Sequence, residues 1–218
     1  MRRAHLAGYD RVGEARIAGG RRSEIATHFI PPGVPGFEGA GGRRGPGFDF
    51  VSDLDGSRAR AARYLRRAGF PGGRHTGRAP IVLGAPDDPA VRDQVRFQRR
   101  QFERLGFRVP LRVMAPQRLL EACQTANARI RVCPFGWYRD FPDAQSVLDA
   151  LFNGRSIQPQ GNTNVPQPNV PAINAAMEAA KALSDPAERA RAWARIDRRI
   201  VAEAPAVPQV WPRSVNLR

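Results

Sequence analysis

Between Gly136 and Gly154 the chain reads GWYRDFPDAQSVLDALFNG. Its first part gathers Trp137, Tyr138, Asp140, Phe141 and Asp143 around the helix-breaking residues Gly136 and Pro142. Flat apolar rings beside carboxylates are the equipment of non-covalent ligand capture. The flanking segments must hold them in place. Arg129 to Phe135 (RIRVCPF) has apolar residues at Ile130, Val132 and Cys133 and predicts a strand, closed by Pro134. From Ala144 to Phe152, Val147, Leu148, Leu151 and Phe152 fall at helical spacing. A strand that ends in a loop ahead of a helix is where open α/β sheets place ligands. Asp143 is positioned to cap the helix. Asp140 has no comparable capping duty; on the residues alone it is a turn-forming aspartate of the D-F-P loop or a free carboxylate.

The rest of the chain predicts a layered scaffold for that loop. Residues 1–50 are punctuated by Pro and Gly and predict an irregular segment, with residues 11–18 as the one periodic stretch. Residues 51–218 predict the folded lobe. A helix runs from a cap at Asp55 to Gly69, with Ala59, Ala62, Leu65 and Ala68 inward and arginines outward. A strand at 79–84 follows, then a helix capped by Asp88 that buries Val91, Val95, Phe102 and Leu105. Residues 107–114 alternate like a half-exposed strand, with Pro110 marking an edge. A short helix spans 116–124. After the polar loop 155–170, one helix runs to about Leu183. A second starts at Ser184-Asp185-Pro186 and buries Ala190, Trp193, Ile196, Ile200 and Val201. A last strand covers 206–211. Helices alternating with strands predict an α/β layered sheet with crossover connections.

Composition narrows the function classes. The 218 residues are 42% hydrophobic, enough for a packed core, and the net charge is +15. Lys181 is the single lysine; arginine supplies the rest of the basic charge, and it is spread along the chain. That spread reads as compositional bias, because a nucleic-acid surface concentrates its arginines in a stripe with interleaved aromatics. An arginine-rich module for nucleic acid or acidic surfaces is the alternative reading. No apolar run reaches bilayer-spanning length, and the first residues contain no apolar signal core. G-x-S-x-G, Walker A, G-x-G-x-x-G and H-E-x-x-H motifs are absent, so no enzyme class is indicated and no cofactor is implied. His5, His28 and His75 lie in irregular stretches and read as surface histidines. Cys123 and Cys133 are either two free thiols or a disulfide between adjacent elements. A disulfide implies an oxidising compartment.

Five stretches in order resemble one family. They are IATHFIPPGVPGFEG (25–39), DGSRARAARYLRRAGFPGG (55–73), APDDPAVRDQVRFQRRQFERLGFRVPLRV (85–113), GWYRDFPDAQSVLDALFNG (136–154) and SDPAERARAWARIDRRIVAEAPAVPQVWP (184–212). Together they resemble the C-terminal half of extracellular solute-binding proteins of family 5, the peptide and nickel receptors of ABC importers. The resemblance implies an α/β, periplasmic-binding-protein-like (type II) C-terminal lobe, a mixed sheet flanked by helices with an irregular N-terminal segment. It implies that this sequence is a fragment of a longer protein with a signal peptide and a first lobe. It implies an extracytoplasmic location, a peptide or other small solute as ligand, ABC permease subunits as partners, and no nucleic acid. Trp137 and Asp140 match the family's W-x-x-D loop, whose aspartate holds a ligand α-amino group. There a carboxylate accepts a charge-assisted hydrogen bond from an ammonium, and the indole adds apolar area and a cation–π attraction. Tyr138 lies within the same loop, and Asn162 and Asn164 are candidates for lining the cleft.

Overall fold

The computed structural model describes residues 1–18 and 23–212. In chain order its named elements are α1 (Arg2–Gly8), α2 (Arg11–Ile17), β1 (Ser23–Ile25), α3 (Phe37–Ala40), α4 (Asp49–Ser52) and α5 (Arg58–Arg67). There follow β2 (Leu83–Pro86), α6 (Arg92–Glu103), β3 (Leu111–Met114), α7 (Pro116–Cys123), α8 (Gln145–Phe152), α9 (Pro171–Lys181), α10 (Pro186–Glu203) and β4 (Val210–Pro212). The fold is mixed α/β, mostly helical, with small sheets.

Capping chemistry sets several helix starts. The Asp185 carboxylate accepts from the Glu188 amide at 2.7 Å, with Pro186 in the first turn, and so opens α10. Asp88 accepts from the Ala90 amide at 2.9 Å and opens a 3₁₀ turn, Pro89–Val91, that leads into α6. The cap of α5 is Ser57, whose hydroxyl accepts from the Arg60 amide, rather than Asp55. Its inner face is Ala61 and Leu65, one helical turn apart, while Ala59 and Ala68 are exposed. The face predicted from alanine spacing is therefore rotated.

The predicted layered sheet is two separate pairs. Strands β2 and β3 run parallel with Leu83 opposite Leu111, and α6 makes the crossover between them. β1 and β4 pair antiparallel, with Glu24 opposite Trp211. The strand expected over 129–135 shrinks to one bridge, Val132 against Leu83. Gly84 donates to the Val132 carbonyl at 2.9 Å, and the Arg131 amide donates to Val82 at 2.8 Å. Pro134 has no N–H with which to continue the ladder. Gly84 lets this bridge pack closely: a Cβ there would meet Leu119 Cδ1 at 2.7 Å and Ile130 Cγ2 at 3.0 Å, so those side chains would have to shift.

Two apolar cores share α10. Trp193, Ile196 and Ile200 face one, with Ile30, Phe37, Leu148, Phe152 and Met177. Val201 faces the other, with Leu6, Phe50, Leu65, Leu83 and Phe102. Each large side chain so buried contributes roughly 1.5–3 kcal/mol. Trp193 is core, as its spacing predicted. The first fifty residues are less irregular than predicted. They hold α1 and α2, and Leu6, Ile30 and Phe37 enter the two cores.

Polar nodes tie this N-terminal part down. Asp197 on α10 is fully buried with His28, whose Nδ1 lies 2.7 Å from its carboxylate. The Phe29 and Ile30 amides donate to the same carboxylate. The Glu14 carboxylate, also buried, accepts from the Tyr9 hydroxyl and from the Gln98 and Gln209 amides. Burial and the neighbouring Glu14 charge raise the Tyr9 hydroxyl well above its ordinary pKa.

The histidines are not surface groups. His28 is sealed between the rings of Phe37 and Trp211. His75 stacks on Phe107 at 4.2 Å. His5 stacks on Phe102 at 3.7 Å; an edge of its ring reaches solvent, but its Nδ1 is covered and unpartnered. That burial drops the His5 pKa from 6.5 to about 3.

Two predictions follow from these nodes. Asp197→Ala strands the His28 ring and two amides in an apolar core, so stability falls by about 3–5 kcal/mol, read from the urea midpoint. For His5, the unfolded chain takes up a proton that the folded one refuses. Its contribution is therefore intact above 6.5 and is lost as pH falls towards 3. His5→Phe keeps the stack without the titration, and its Tm declines less than the parent's between those two pH values.

Candidate functional site

The loop from Pro134 to Asp143 has a fixed base and an open crest. Trp137 is half-buried against the first core, and its indole N–H donates to the Ser146 carbonyl of α8 at 2.8 Å. Phe135 lies nearly parallel to it at 6.3 Å. The Ser146 hydroxyl donates to the carbonyls of Phe141 at 3.1 Å and Asp143 at 2.9 Å.

Asp143 is fully engaged. One carboxylate oxygen accepts from the Gln145 amide at 2.7 Å, filling the first orphan donor of α8 from the residue before its N-cap, Ala144. The other accepts from Arg189 of α10 at 2.6 Å. Arg189 also donates to the Ala180 and Lys181 carbonyls at the end of α9 and to the Gln145 side chain. One guanidinium thus locks the loop's foot to three helices. Sequence reasoning missed Arg189, because nothing marks one arginine among many. Ser146 carried a weak signal, a hydroxyl three residues after a capping aspartate.

The crest is unpartnered. Asp140 is exposed, and among the described residues no hydrogen bond or ion pair engages its carboxylate. Tyr138 is 76% exposed and Phe141 45%. Trp137, Tyr138 and Asp140 share one loop, with the indole fixed and, among the described residues, the Asp140 carboxylate unpaired. Such a set can hold an ammonium or guanidinium group against aromatic faces.

Asn162 and Asn164 do not join them. Asn162 is 1% exposed, and its amide donates to the Gln124 and Gln158 carbonyls at 2.7 and 2.6 Å. Asn164 is 0% exposed and donates to the Asn153 carbonyl at 3.0 Å. Both are spent on holding the polar loop 155–170 against its neighbours, the ordinary fate of buried amides. Two cavities lie away from the loop. One of about 10 Å³ sits beneath Phe152 and Ile200, and an open cleft of about 410 Å³ runs between residues 33–39 and α10. Among the described residues no cluster of His, Cys, Asp or Glu is placed to hold a metal, and no helix is long and apolar enough to cross a membrane.

Cys123 and Cys133 form a disulfide with a Cα–Cα separation of 5.9 Å. It joins the end of α7 to the segment that leads into Trp137. The core beneath it is small, with Leu119, Cys123 and Ile130 as its buried members. The cross-link therefore does work that few apolar contacts share. Replacing both cysteines by serine should cost about 2–3 kcal/mol. The loss should show first as faster amide exchange over residues 130–137, while α10 stays protected.

No protein-family model matches the chain, and no curated protein matches it. Solved structures do. A "Clavulanic acid biosynthesis oligopeptide binding protein 2" superposes with a TM-score of 0.78 at 24% identity, over 96% of this chain and 37% of that one. The ABC transporter-associated periplasmic binding protein DppA from Helicobacter pylori, in complex with the peptide STSA, gives 0.75 at 20% identity, over 96% and 38%. The oligopeptide-binding protein AppA from Bacillus subtilis, in complex with a nonapeptide, gives 0.73 at 18% identity, over 97% and 41%. By their names the matched structures are binding proteins. The chain spans about two fifths of each of them. It therefore has the fold of part of an ABC-transporter peptide-binding protein, the architecture that the five sequence stretches resemble.

Proposed function

We propose that this chain is the ligand-binding lobe of an ABC importer's substrate-binding protein and that it captures peptides or similar small solutes outside the cytoplasm. The observation that carries the reading is the loop's division of labour. Trp137 is held by Ser146 and Asp143 by Arg189, while Asp140 keeps a free, exposed carboxylate beside exposed Tyr138. A fixed ring and an uncommitted charge favour a ligand's ammonium, because little order must be created on binding. Support for the wider role comes from the fold shared with peptide-binding proteins and from the disulfide, which suits an oxidising compartment. Permease subunits and a second lobe complete the scheme. In it, groups on both sides of the ligand favour the closed state that a permease recognises.

The test is calorimetric titration of the chain with short peptides, beside the same peptides acetylated at the N-terminus. Binding should be weak with one lobe and should vanish on acetylation. Asp140→Asn should lower affinity at least about tenfold, the worth of a charge-assisted hydrogen bond. It should leave the Tm unchanged, since Asp140 supports nothing in the fold. Undiminished peptide binding by Asp140→Asn would remove the carboxylate from the site.

A further inference from the structure

The arginines are not all background. Three guanidiniums converge on a trio of rings contributed by α4, α5 and the residue before α4. Arg3 of α1 lies over Phe50 at 5.4 Å, Arg67 of α5 over Tyr64 at 5.6 Å, and Arg198 of α10 over Phe48 at 5.9 Å. The rings themselves are joined: Phe48 stacks on Phe50 at 5.4 Å, and Phe50 meets Tyr64 edge-on at 5.9 Å. Arg63 reaches Asp49 at 3.7 Å, Arg60 donates to the Ser52 hydroxyl at 3.1 Å, and Arg2 lies 3.8 Å from Glu203. These contacts gather six guanidiniums around two carboxylates, and Asp49 is already shared between Arg63 and the Tyr64 hydroxyl.

We propose that this face, formed by α1, α4, α5 and the last turns of α10, docks on an anionic phospholipid bilayer. Arg3 also donates from Nε to the Ala202 carbonyl at 2.9 Å, whereas among the described residues no hydrogen bond engages the Arg67 or Arg198 guanidinium. A guanidinium laid on a ring is oriented in advance, and its planar fork matches phosphate oxygens. Arginines drawn from three helices suit a planar field of headgroups better than a single phosphate. Anionic leaflets attract basic residues, and the attraction is screened by salt. A single-stranded nucleic acid is the weaker fit. It needs open aromatic faces on which bases stack, and here Phe50 is buried while arginines cover Phe48 and Tyr64. The proposal is independent of the peptide loop, which lies on the other core.

Flotation of the chain with vesicles tests it. Phosphatidylcholine vesicles carrying roughly 30% phosphatidylglycerol should retain the protein, pure phosphatidylcholine should not, and raising sodium chloride from about 50 to about 500 mM should release it. Arg63→Glu with Arg67→Glu should lower retention at least about tenfold. Arg112→Glu with Arg118→Glu changes the net charge equally on β3 and α7, and should lower it by less than about threefold. Equal losses from the two pairs would make net charge, not this face, the cause and overturn the proposal. Retention on neutral vesicles, or tighter retention on a single-stranded oligonucleotide than on the anionic vesicles, would overturn it too. Circular dichroism checks the folding of each variant. Arg63→Gln with Arg67→Gln gives the same reading through a milder loss if the reversed pair misfolds.

Discussion

One buried carboxylate decides how the first part of this chain lies. Asp197 has no solvent, and taking a carboxylate out of water costs several kcal/mol unless its lone pairs are filled. The donors that fill them come from a single tripeptide, His28 to Ile30. The charge on α10 is therefore satisfied only when that tripeptide lies against the helix. This makes the path of a Pro/Gly-rich segment obligatory although it has little regular structure of its own. It also places His28 between Phe37 and Trp211, so the polar node and the apolar core close together.

Glu14 plays a similar part with different donors. Its partners are a phenol and side-chain amides, drawn from the end of α1, from α6 and from the approach to β4. Segments from both ends of the chain meet there. Arg11, three residues earlier on α2, donates to the carbonyls of Ala26 and Val51, and burial lowers its pKa to about 10. Fixing irregular backbone costs about 1–2 kcal/mol per residue. Short helices and two-residue turns offset little of that alone, so clustered polar contacts with several partners carry the ordering.

These nodes explain what could be read in the sequence and what could not. Helices with a cap and an apolar stripe were legible: Asp185 opens the helix it was expected to open, Asp88 caps the 3₁₀ turn ahead of α6 rather than α6 itself, and Trp193, Ile196 and Ile200 are core. Errors arose where pattern and partner disagree. RIRVC alternates like a strand, but Pro134 and the disulfide leave Val132 alone to pair. Alanines at 59, 62 and 68 look like a helical stripe, yet a small apolar side chain sits in water at little cost, and Leu65 with Ala61 sets the true face. His28, His75, Asn162 and Asn164 were misplaced for one reason. A polar residue in a Pro/Gly-rich stretch has no periodicity, and its buried partner can be more than a hundred residues away, as Asp197 is from His28. Cysteine pairing was undecidable because it depends on that same long-range geometry.

The two aspartates of the aromatic loop show how local sequence and distant packing divide a role. Asp140 and Asp143 stand three residues apart in DFPD and are chemically identical. What separates them is reach. Asp143 sits at the foot of α8, within range of Arg189, and its charge is compensated by a guanidinium that also ties down the end of α9. Asp140 lies beyond that reach, on the far side of Pro142, and keeps its charge in solvent. Compensating the first carboxylate fixes the loop's foot, and the second is left in solvent. A loop in which neither was paired would have nothing to hold its foot, and fixing such irregular backbone costs about 1–2 kcal/mol per residue.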